Sequence, residues 1–191
     1  MPALRTLLPQ VRACRLCEHV LPFGPRPVVQ ISRSATILIA GQAPGRRVHN
    51  TGIPFDDPSG DRLREWMGID RDTFYNDAKI ALLPMGFCYP GTGDNGDLPP
   101  RPECAPAWRE ALLANLPKLQ LTIVLGQYAQ AYHLKNGKLS VTEAVRAWKS
   151  CWPDQLPLPH PSPRNQMWVK KNPWLEKEVL PALRKRVREI L

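Results

Sequence analysis

The stretch LPHPSPRN, residues 158–165, places two prolines and a serine directly behind a histidine. Pro161 and Pro163 restrict the backbone after His160, so this imidazole would be held in one direction before any ligand arrives. A histidine presented in this way is a candidate catalytic group. The alternative is a structural histidine at the end of a strand.

Five cysteines form a second group that could do chemistry: Cys14, Cys17, Cys88, Cys104 and Cys151. An odd number fits a closed set of disulfides poorly. CRLC brings two thiols together on a tight turn, and Cys88 and Cys104 could complete a four-sulfur site for zinc or an iron–sulfur cluster. The alternatives are a redox pair in CRLC and small buried apolar side chains at positions 88 and 104. We expect Cys151 to be a core or boundary residue.

The chain carries 26 Lys and Arg against 17 Asp and Glu, a net charge of +9. This balance favours a polyanionic partner, although a merely solvated cationic face would look the same. The basic residues gather at 45–50, 164–171 and 184–188, and the first two of these groups are expected in loops, where ligands bind.

The longest apolar runs are far shorter than the roughly 20 residues of a membrane span. The N-terminus has no apolar segment followed by a small-residue cleavage site. We therefore expect a single domain over residues 1–191, monomeric and cytoplasmic, with no membrane partner.

Short apolar runs closed by glycine or proline predict four buried strands, at residues 35–41, 79–84, 121–126 and 157–160. Amphipathic segments predict helices at residues 4–14, 58–69, 103–116, 127–134 and 172–191. We expect Pro9 to interrupt the first helix. The last helix is expected to begin with Asn172 as N-cap and Pro173 in its first turn, and to break or kink at Pro181.

Strands that alternate with helices predict an α/β fold, a three-layer α/β/α sandwich around a central, mostly parallel four-stranded sheet. Ligands of such sheets bind beyond the carboxyl ends of the strands. That rule selects four rim loops, at residues 41–50, 84–91, 126–129 and 160–165. The sequence has no G-x-G-x-x-G and no P-loop, which disfavours a generic nucleotide-binding protein.

Five motifs in order resemble the uracil-DNA glycosylase superfamily, and most of all its iron–sulfur branch, family 4. GQAPG, RRVHNTGIPF and DDPSG follow one another without a gap over residues 41–60 and match that branch's G-E-x-P-G, G-x-P-F and x-G-x-A-G pattern. CRLC, CYP and CAPAW correspond to its cysteine motifs, the last with one inserted residue. HPSPRN corresponds to its closing motif and also resembles the single-strand-selective monofunctional branch. The match spans nearly the whole chain.

The resemblance implies an enzyme of DNA base-excision repair that hydrolyses the N-glycosidic bond of uracil, or of a related deaminated base, and leaves an abasic site. The base is flipped out of the DNA, and His160 donates to the base oxygen where negative charge develops. The resemblance also implies a structural [4Fe-4S] cluster held by Cys14, Cys17, Cys88 and Cys104.

The resemblance also assigns the contacts to the flipped base. Phe55 would stack on the base, with packing at the rim as the alternative. Backbone groups of Gln42 and Ala43 would hold the base, and Gly41 would permit its close approach. Gln42 stands where the family has a glutamate.

Contacts to the DNA strand follow from the same motifs. Ser162 would bind a phosphate, while Arg164 and Asn165 would lie in the minor groove or fill the gap left by the flipped nucleotide. Arg46 and Arg47 belong to the first basic group of the chain, and we expect them to contact DNA through their charge. A plain solvated charge is the alternative for Arg164.

Two departures from the family pattern concern the activation of water and the selection of the base. The glutamate that orients the attacking water falls on Val48, so His49 or Asn50 takes over, or the reaction depends on His160 alone. The asparagine that reads the pyrimidine falls on Pro84. A second hypothesis is therefore a relative that binds lesions with little or no turnover.

Nearby polar residues have alternative functions. Asn76 and Asn95 could replace the missing asparagine, although both are typical turn residues. Asp56 and Asp57 could share acid and base chemistry, but we favour capping of the following helix, because acidic residues stabilise a helix N-terminus.

Overall fold

The structure is a computed structural model, and it describes residues 2–94, 96–135 and 139–191. Its main sheet contains β1 (Ile37–Ala40), β2 (Ile80–Leu82), β5 (Leu121–Leu125) and β6 (Gln155–Leu158). A separate antiparallel hairpin pairs β3 (Thr92–Gly93) with β4 (Gly96–Asp97). The helices are α1 (Leu4–Arg12), α2 (Arg46–Thr51), α3 (Pro58–Met67), α4 (Arg71–Tyr75), α5 (Cys104–Leu113), α6 (Gly126–His133), α7 (Val141–Arg146), α8 (Gln166–Lys171) and α9 (Leu180–Ile190).

All pairs in the main sheet are parallel, and the strand order is β2-β1-β5-β6. Ile37 is in register with both Ile80 and Leu121, and Thr122 is in register with Gln155. The strand side chains are buried almost throughout, as the continuous apolar runs predict for a parallel sheet covered on both faces.

Each face of the sheet carries its own apolar core. On one face Ile37 and Ile39 pack with Leu63 of α3 and Leu183 of α9. On the other face Leu38, Ala81 and Leu83 pack with Leu7 and Val11 of α1 and with Leu112 of α5. The predicted three-layer α/β/α architecture is therefore confirmed.

Pro9 does not interrupt α1, which runs without a break from Leu4 to Arg12. Pro9 lies on the exposed side of this helix, whereas Leu7 and Val11 carry its packing. The missing N–H therefore costs one hydrogen bond on the solvent side, and the buried side of the helix stays intact.

The C-terminal region also differs from the single capped helix predicted for residues 172–191. Asn172 ends α8 instead of capping a new helix, and its Nδ2 donates to the carbonyl of Trp168 at 2.8 Å. A π-helical segment, Leu175–Val179, then leads directly into α9. Pro181 lies in the first turn of α9, where a wider turn precedes it and its missing N–H costs least.

The rim loop predicted at residues 41–50 is only partly a loop, because residues 46–51 form α2. The predicted basic group at residues 45–50 therefore lies largely on a helix. Among the described residues, no helix is long and apolar enough to cross a bilayer.

A buried polar pair joins the helices to the end of β2. Arg109 of α5 is fully buried, and its Nη1 donates to the carbonyl oxygens of Leu83 and Pro84 at 3.1 and 2.9 Å. Its Nε donates to Nε2 of His133 at 3.1 Å. Burial lowers the pKa of His133 to about 3, so this imidazole is neutral and can accept.

Candidate functional site

A cavity of about 390 Å³ opens at the carboxyl ends of β1, β2 and β6. Its size falls within the range of about 300–1,000 Å³ that is typical of small-molecule sites. The structure brings together here eight of the residues that the sequence motifs single out: Gly41, Gln42, Ala43, Phe55, His160, Ser162, Arg164 and Asn165.

His160 is fixed by hydrogen bonds on both its ring and its backbone. The backbone N–H of Ser162 donates to Nδ1 at 3.2 Å, and Nδ2 of Asn165 donates to the carbonyl oxygen of His160 at 2.8 Å. Because Nδ1 accepts, the proton of the neutral ring lies on Nε2. None of the described residues accepts from Nε2, so this N–H is available to a ligand in the cavity.

The surroundings of His160 keep its ring neutral. Burial lowers the pKa of His160 below its ordinary value of 6.5, and the charges of Asp57 and Asp97 offset part of this effect. The strand before it is held from α6, since Nε2 of Gln130 donates to the carbonyl oxygen of Leu158 at 2.9 Å.

Phe55 forms another wall of the cavity in a strained backbone conformation. Its φ is 56°, in the left-handed region that side chains other than glycine rarely adopt. The ring lies against Gly41, where an added Cβ would be 3.4 Å from Cζ, and packs edge-on against Phe74. At Gly60 an added Cβ would lie 1.8 Å from the carbonyl oxygen of Phe55, so only glycine fits there. Strain that is held in this way is typical of functional sites.

Gln42 fixes the β3–β4 hairpin at the edge of the cavity. Its Nε2 donates to the carbonyl oxygens of Leu98 and Asp97, at 3.0 and 3.4 Å. A glutamate could not donate these bonds, which gives a physical reason for glutamine at this position. The hairpin brings the side chain of Asp97 into the cavity wall. Sequence analysis did not single out Asp97, because its position depends on Gln42, 55 residues away, and not on a local pattern.

Asp57 has a capping role and also lines the cavity. It is the N-cap of α3, and its Oδ1 accepts from the backbone N–H of Gly60 at 3.0 Å, which confirms the predicted capping. Asp56 points elsewhere and forms an ion pair of 2.9 Å with Arg71. Only the second of the two adjacent carboxylates therefore reaches the cavity.

The helix α2 turns the predicted water-orienting residues away from the cavity. Val48 lines the cavity, but His49 is buried against the rings of Phe23 and Tyr89, where burial lowers its pKa. Asn50 is exposed and does not line the cavity. Adjacent residues of a helix point about 100° apart, so one helix presents Val48 to the cavity and His49 elsewhere. The expectation that His49 or Asn50 orients water is therefore not supported.

Of the other two asparagine candidates, Asn76 is not among the described residues that line the cavity. Asn76 lies in a turn, where its Oδ1 accepts from the backbone N–H of Ala78 at 3.0 Å. Asn95 lies outside the described residues. Pro84, at the position of the expected asparagine, does line the cavity.

The predicted DNA-contacting residues fall into two groups. Ser162 and Arg164 lie at the cavity, where the guanidinium of Arg164 packs so closely on Gly96 that an added Cβ there would lie 1.9 Å from Nη1. Oγ of Ser162 accepts from the backbone N–H of Arg164 at 3.3 Å. Arg46 and Arg47 are exposed on α2 and do not line the cavity.

Four cysteines line a second pocket, which also contains Trp108: Cys14, Cys17, Cys88 and Cys104. Nε1 of Trp108 donates to Sγ of Cys14, and the backbone N–H of Phe87 donates to Sγ of Cys104, both at 3.3 Å. Burial raises the pKa of the Cys88 thiol to about 11 and that of Cys104 to about 12. Within the described ranges, no three metal-ligating side chains surround one ion position.

Cys151 is not part of the cysteine pocket. It is partly buried, and its Sγ donates to the carbonyl oxygen of Trp148 at 3.4 Å. This placement agrees with the expectation of a core or boundary residue.

Comparisons with known proteins show a family and a likeness to solved structures. A family model described as the uracil DNA glycosylase superfamily matches residues 28–184. The chain is also similar to the solution NMR structure of a candidate uracil DNA glycosylase from Methanosarcina acetivorans, with a TM-score of 0.47 and 19% sequence identity. This likeness covers 82% of the present chain and 93% of the other. The family match spans more than half of the chain.

The hydrogen bond from Ser162 gives a testable state for His160. We expect NMR of the ¹⁵N-labelled protein at neutral pH to show a neutral ring with its proton on Nε2. Because burial lowers the pKa of His160, the ring should stay neutral as the pH falls through 6.5. Exposed His19 serves as the comparison within the same spectrum. A ring that is charged at neutral pH, or protonated on Nδ1, would contradict the assignment.

Proposed function

The chain belongs to the uracil DNA glycosylase superfamily, and from this premise we propose that it is a monofunctional DNA glycosylase, active as a monomer. It hydrolyses the N-glycosidic bond of uracil, or of a related deaminated base, and leaves an abasic site. The observation that carries the proposal is His160, whose Nδ1 is occupied by Ser162 and whose Nε2–H is available in the cavity that Phe55 lines.

The chemistry requires a donor that is fixed before the reaction begins. As the bond between the base nitrogen and C1′ of the sugar breaks, the electron pair leaves with the base and negative charge develops on its oxygen. Nε2–H of His160 would donate to that oxygen and stabilise the transition state more than the bound substrate. A donor of this kind contributes about 3–4 kcal/mol to lowering the barrier.

The rest of the cavity suits a base that has left the stack. Flipping costs a few kcal/mol, which a snug pocket must offset. The ring of Phe55 offers a stacking face, and the backbone from Gly41 to Ala43 offers polar groups beside it. Pro84 replaces a side chain that could read the pyrimidine edge, so backbone groups and cavity shape would carry most of the base selection.

The attacking water needs a group that accepts its proton, and we assign this role to Asp57. The water oxygen bonds to C1′, and its proton passes to the carboxylate while the base departs. Asp57 is held by its bond from Gly60 and is one of the two acidic charges that act on His160. No lysine lines the described cavity, which supports hydrolysis without an amine nucleophile.

Contacts to the DNA strand come from the loop after His160 and from the net positive charge. Ser162 and Arg164 would contact phosphates beside the flipped nucleotide, and Asn165 would hold the loop through the carbonyl of His160. Such contacts release counterions, so binding should weaken steeply as salt rises.

A second candidate function is lesion binding with little turnover. It is favoured by Val48 at the water-orienting position and by the placement of His49 and Asn50 away from the cavity. The assay for cleavage decides between the two candidates.

We expect the protein to cleave a labelled oligonucleotide that carries one uracil, opposite guanine, opposite adenine or in a single strand. Alkali breaks the strand at the abasic product. His160→Ala should lower cleavage by about a hundredfold or more, because the donor to the base anion is lost, while the thermal midpoint changes little. His19→Ala, at an exposed histidine, is the matched control.

Two outcomes would count against this reading of His160. If uracil, hypoxanthine and xanthine DNA are all bound but not cleaved, the lesion-binding function is correct. If His160→Ala lowers activity and thermal stability together, the histidine is structural.

Asp57→Asn should lower cleavage by about a hundredfold, since an amide cannot accept the proton of water. Asparagine caps a helix as well as aspartate does, so the free energy of unfolding should hardly change. Asp56→Asn is the matched control, because it removes only a partly exposed ion pair outside the cavity. Loss of cleavage in Asp97→Asn but not in Asp57→Asn would assign the role to Asp97 instead.

We also propose that the four pocket cysteines hold a [4Fe-4S] cluster with a structural role. Each thiolate would bind a separate iron, so the sulfurs stand further apart than around one zinc ion. The observation that supports the cluster is that the four cysteines line one pocket. The cluster would join the segment after α1, the loop after β2 and the start of α5.

Protein purified without oxygen should contain about four iron and four sulfide per chain and absorb visible light broadly. Cys88→Ser should lose much of the iron and lower the thermal midpoint. Cys151→Ser, outside the pocket, should change neither the iron content nor the thermal midpoint. One zinc per chain in colourless protein would overturn the cluster.

A further inference from the structure

Three side chains form a stack beside the cavity. Tyr89 is buried at the bottom with 1% of its surface exposed, and the ring of Phe23 stacks on it at 5.7 Å and 25°. Phe23 is 48% exposed, and Cζ of Arg46 lies 4.8 Å above its ring centroid. The guanidinium group of Arg46 therefore forms the outer layer of the stack.

The guanidinium of Arg46 is held by this ring rather than by a carboxylate. Among the described residues, it has no hydrogen bond or ion pair. Its N–H groups and its outer face are therefore open to a ligand. A planar guanidinium both stacks on nucleobases and donates to phosphates. The ammonium group of lysine donates to phosphates but stacks poorly on a base.

The stack lies at the edge of the cavity. Arg46 directly follows Gly45, which lines the cavity, and Val48 of the same helix also lines it. Val28, after the loop that contains Phe23, is a further part of the cavity wall. Arg46 and Val48 are two residues apart, which is about 3 Å along the helix axis.

We propose that Arg46 on Phe23 is a stacking platform for an unpaired nucleobase next to the flipped nucleotide. The inference rests on the proposed glycosylase function and adds a substrate class, DNA that is single-stranded or locally unpaired. In a duplex the neighbouring bases are stacked and paired with each other, so only an unpaired strand can place one on Arg46. The exposed guanidinium groups of Arg26 and Arg47 add positive charge that complements the phosphates of that strand.

The test is fluorescence anisotropy with uracil-free single-stranded and duplex oligonucleotides of the same sequence. Phe23→Leu keeps an apolar contact with Tyr89 but removes the ring, and Arg46→Lys keeps the charge but removes the plane. Each should weaken single-strand binding by about 5- to 100-fold, with duplex binding changed less than about twofold. Leu139→Ala, at another exposed apolar residue, should leave both affinities unchanged. Thermal unfolding checks that each variant is folded.

Equal weakening for single-stranded and duplex DNA would overturn the platform and indicate a general effect. Unchanged affinity in Arg46→Lys with a loss in Arg46→Ala would indicate a phosphate contact only and would also overturn it. The readout does not depend on cleavage. If the protein cleaves no uracil but the two variants weaken single-strand binding selectively, the proposed function is wrong and the stacking platform is still supported.

Discussion

All four strands of the main sheet run in the same direction, and this constraint brings the loops around the cavity together. Parallel strands end at one edge, so the segments that follow β1, β2 and β6 must meet there. Gly41, Pro84 and His160 are far apart in the chain, but each lies within two residues of a strand end. Both faces of the sheet are closely packed, and this packing holds the strand ends that border the cavity in place.

The direction of the His160 ring is set by backbone groups rather than by other side-chain charges. Ser162 donates to the ring from two residues away, and Asn165 donates back to the carbonyl of His160. Gln130 fixes the strand end just before this loop. These bonds lie within one short segment and its nearest helix, so little conformational entropy remains to be lost when a ligand binds.

Much of the fold could be predicted from the sequence, because short apolar runs and amphipathic segments act locally. The strands around Ile37 and Ile123 and the cap at Asp57 are examples. The phase of α2 could not be predicted, since six residues with polar side chains on several sides do not show which side faces the cavity. Asp97 was missed for a different reason: Gln42, 55 residues away, fixes its position. No local pattern contains that contact.

Arg109 links the cysteine pocket to the wall of the cavity. The helix α5 begins at Cys104 and carries Arg109, which holds the carbonyls of Leu83 and Pro84. Burial lowers the pKa of Arg109 to about 10, so it is still charged at neutral pH, and His133 completes its bonds as a neutral acceptor. A buried charge without a carboxylate partner is costly unless its donors are satisfied, so displacing Pro84 would leave a donor unpaired. The position of the cavity wall at Pro84 is thus tied to the helix that begins in the cysteine pocket.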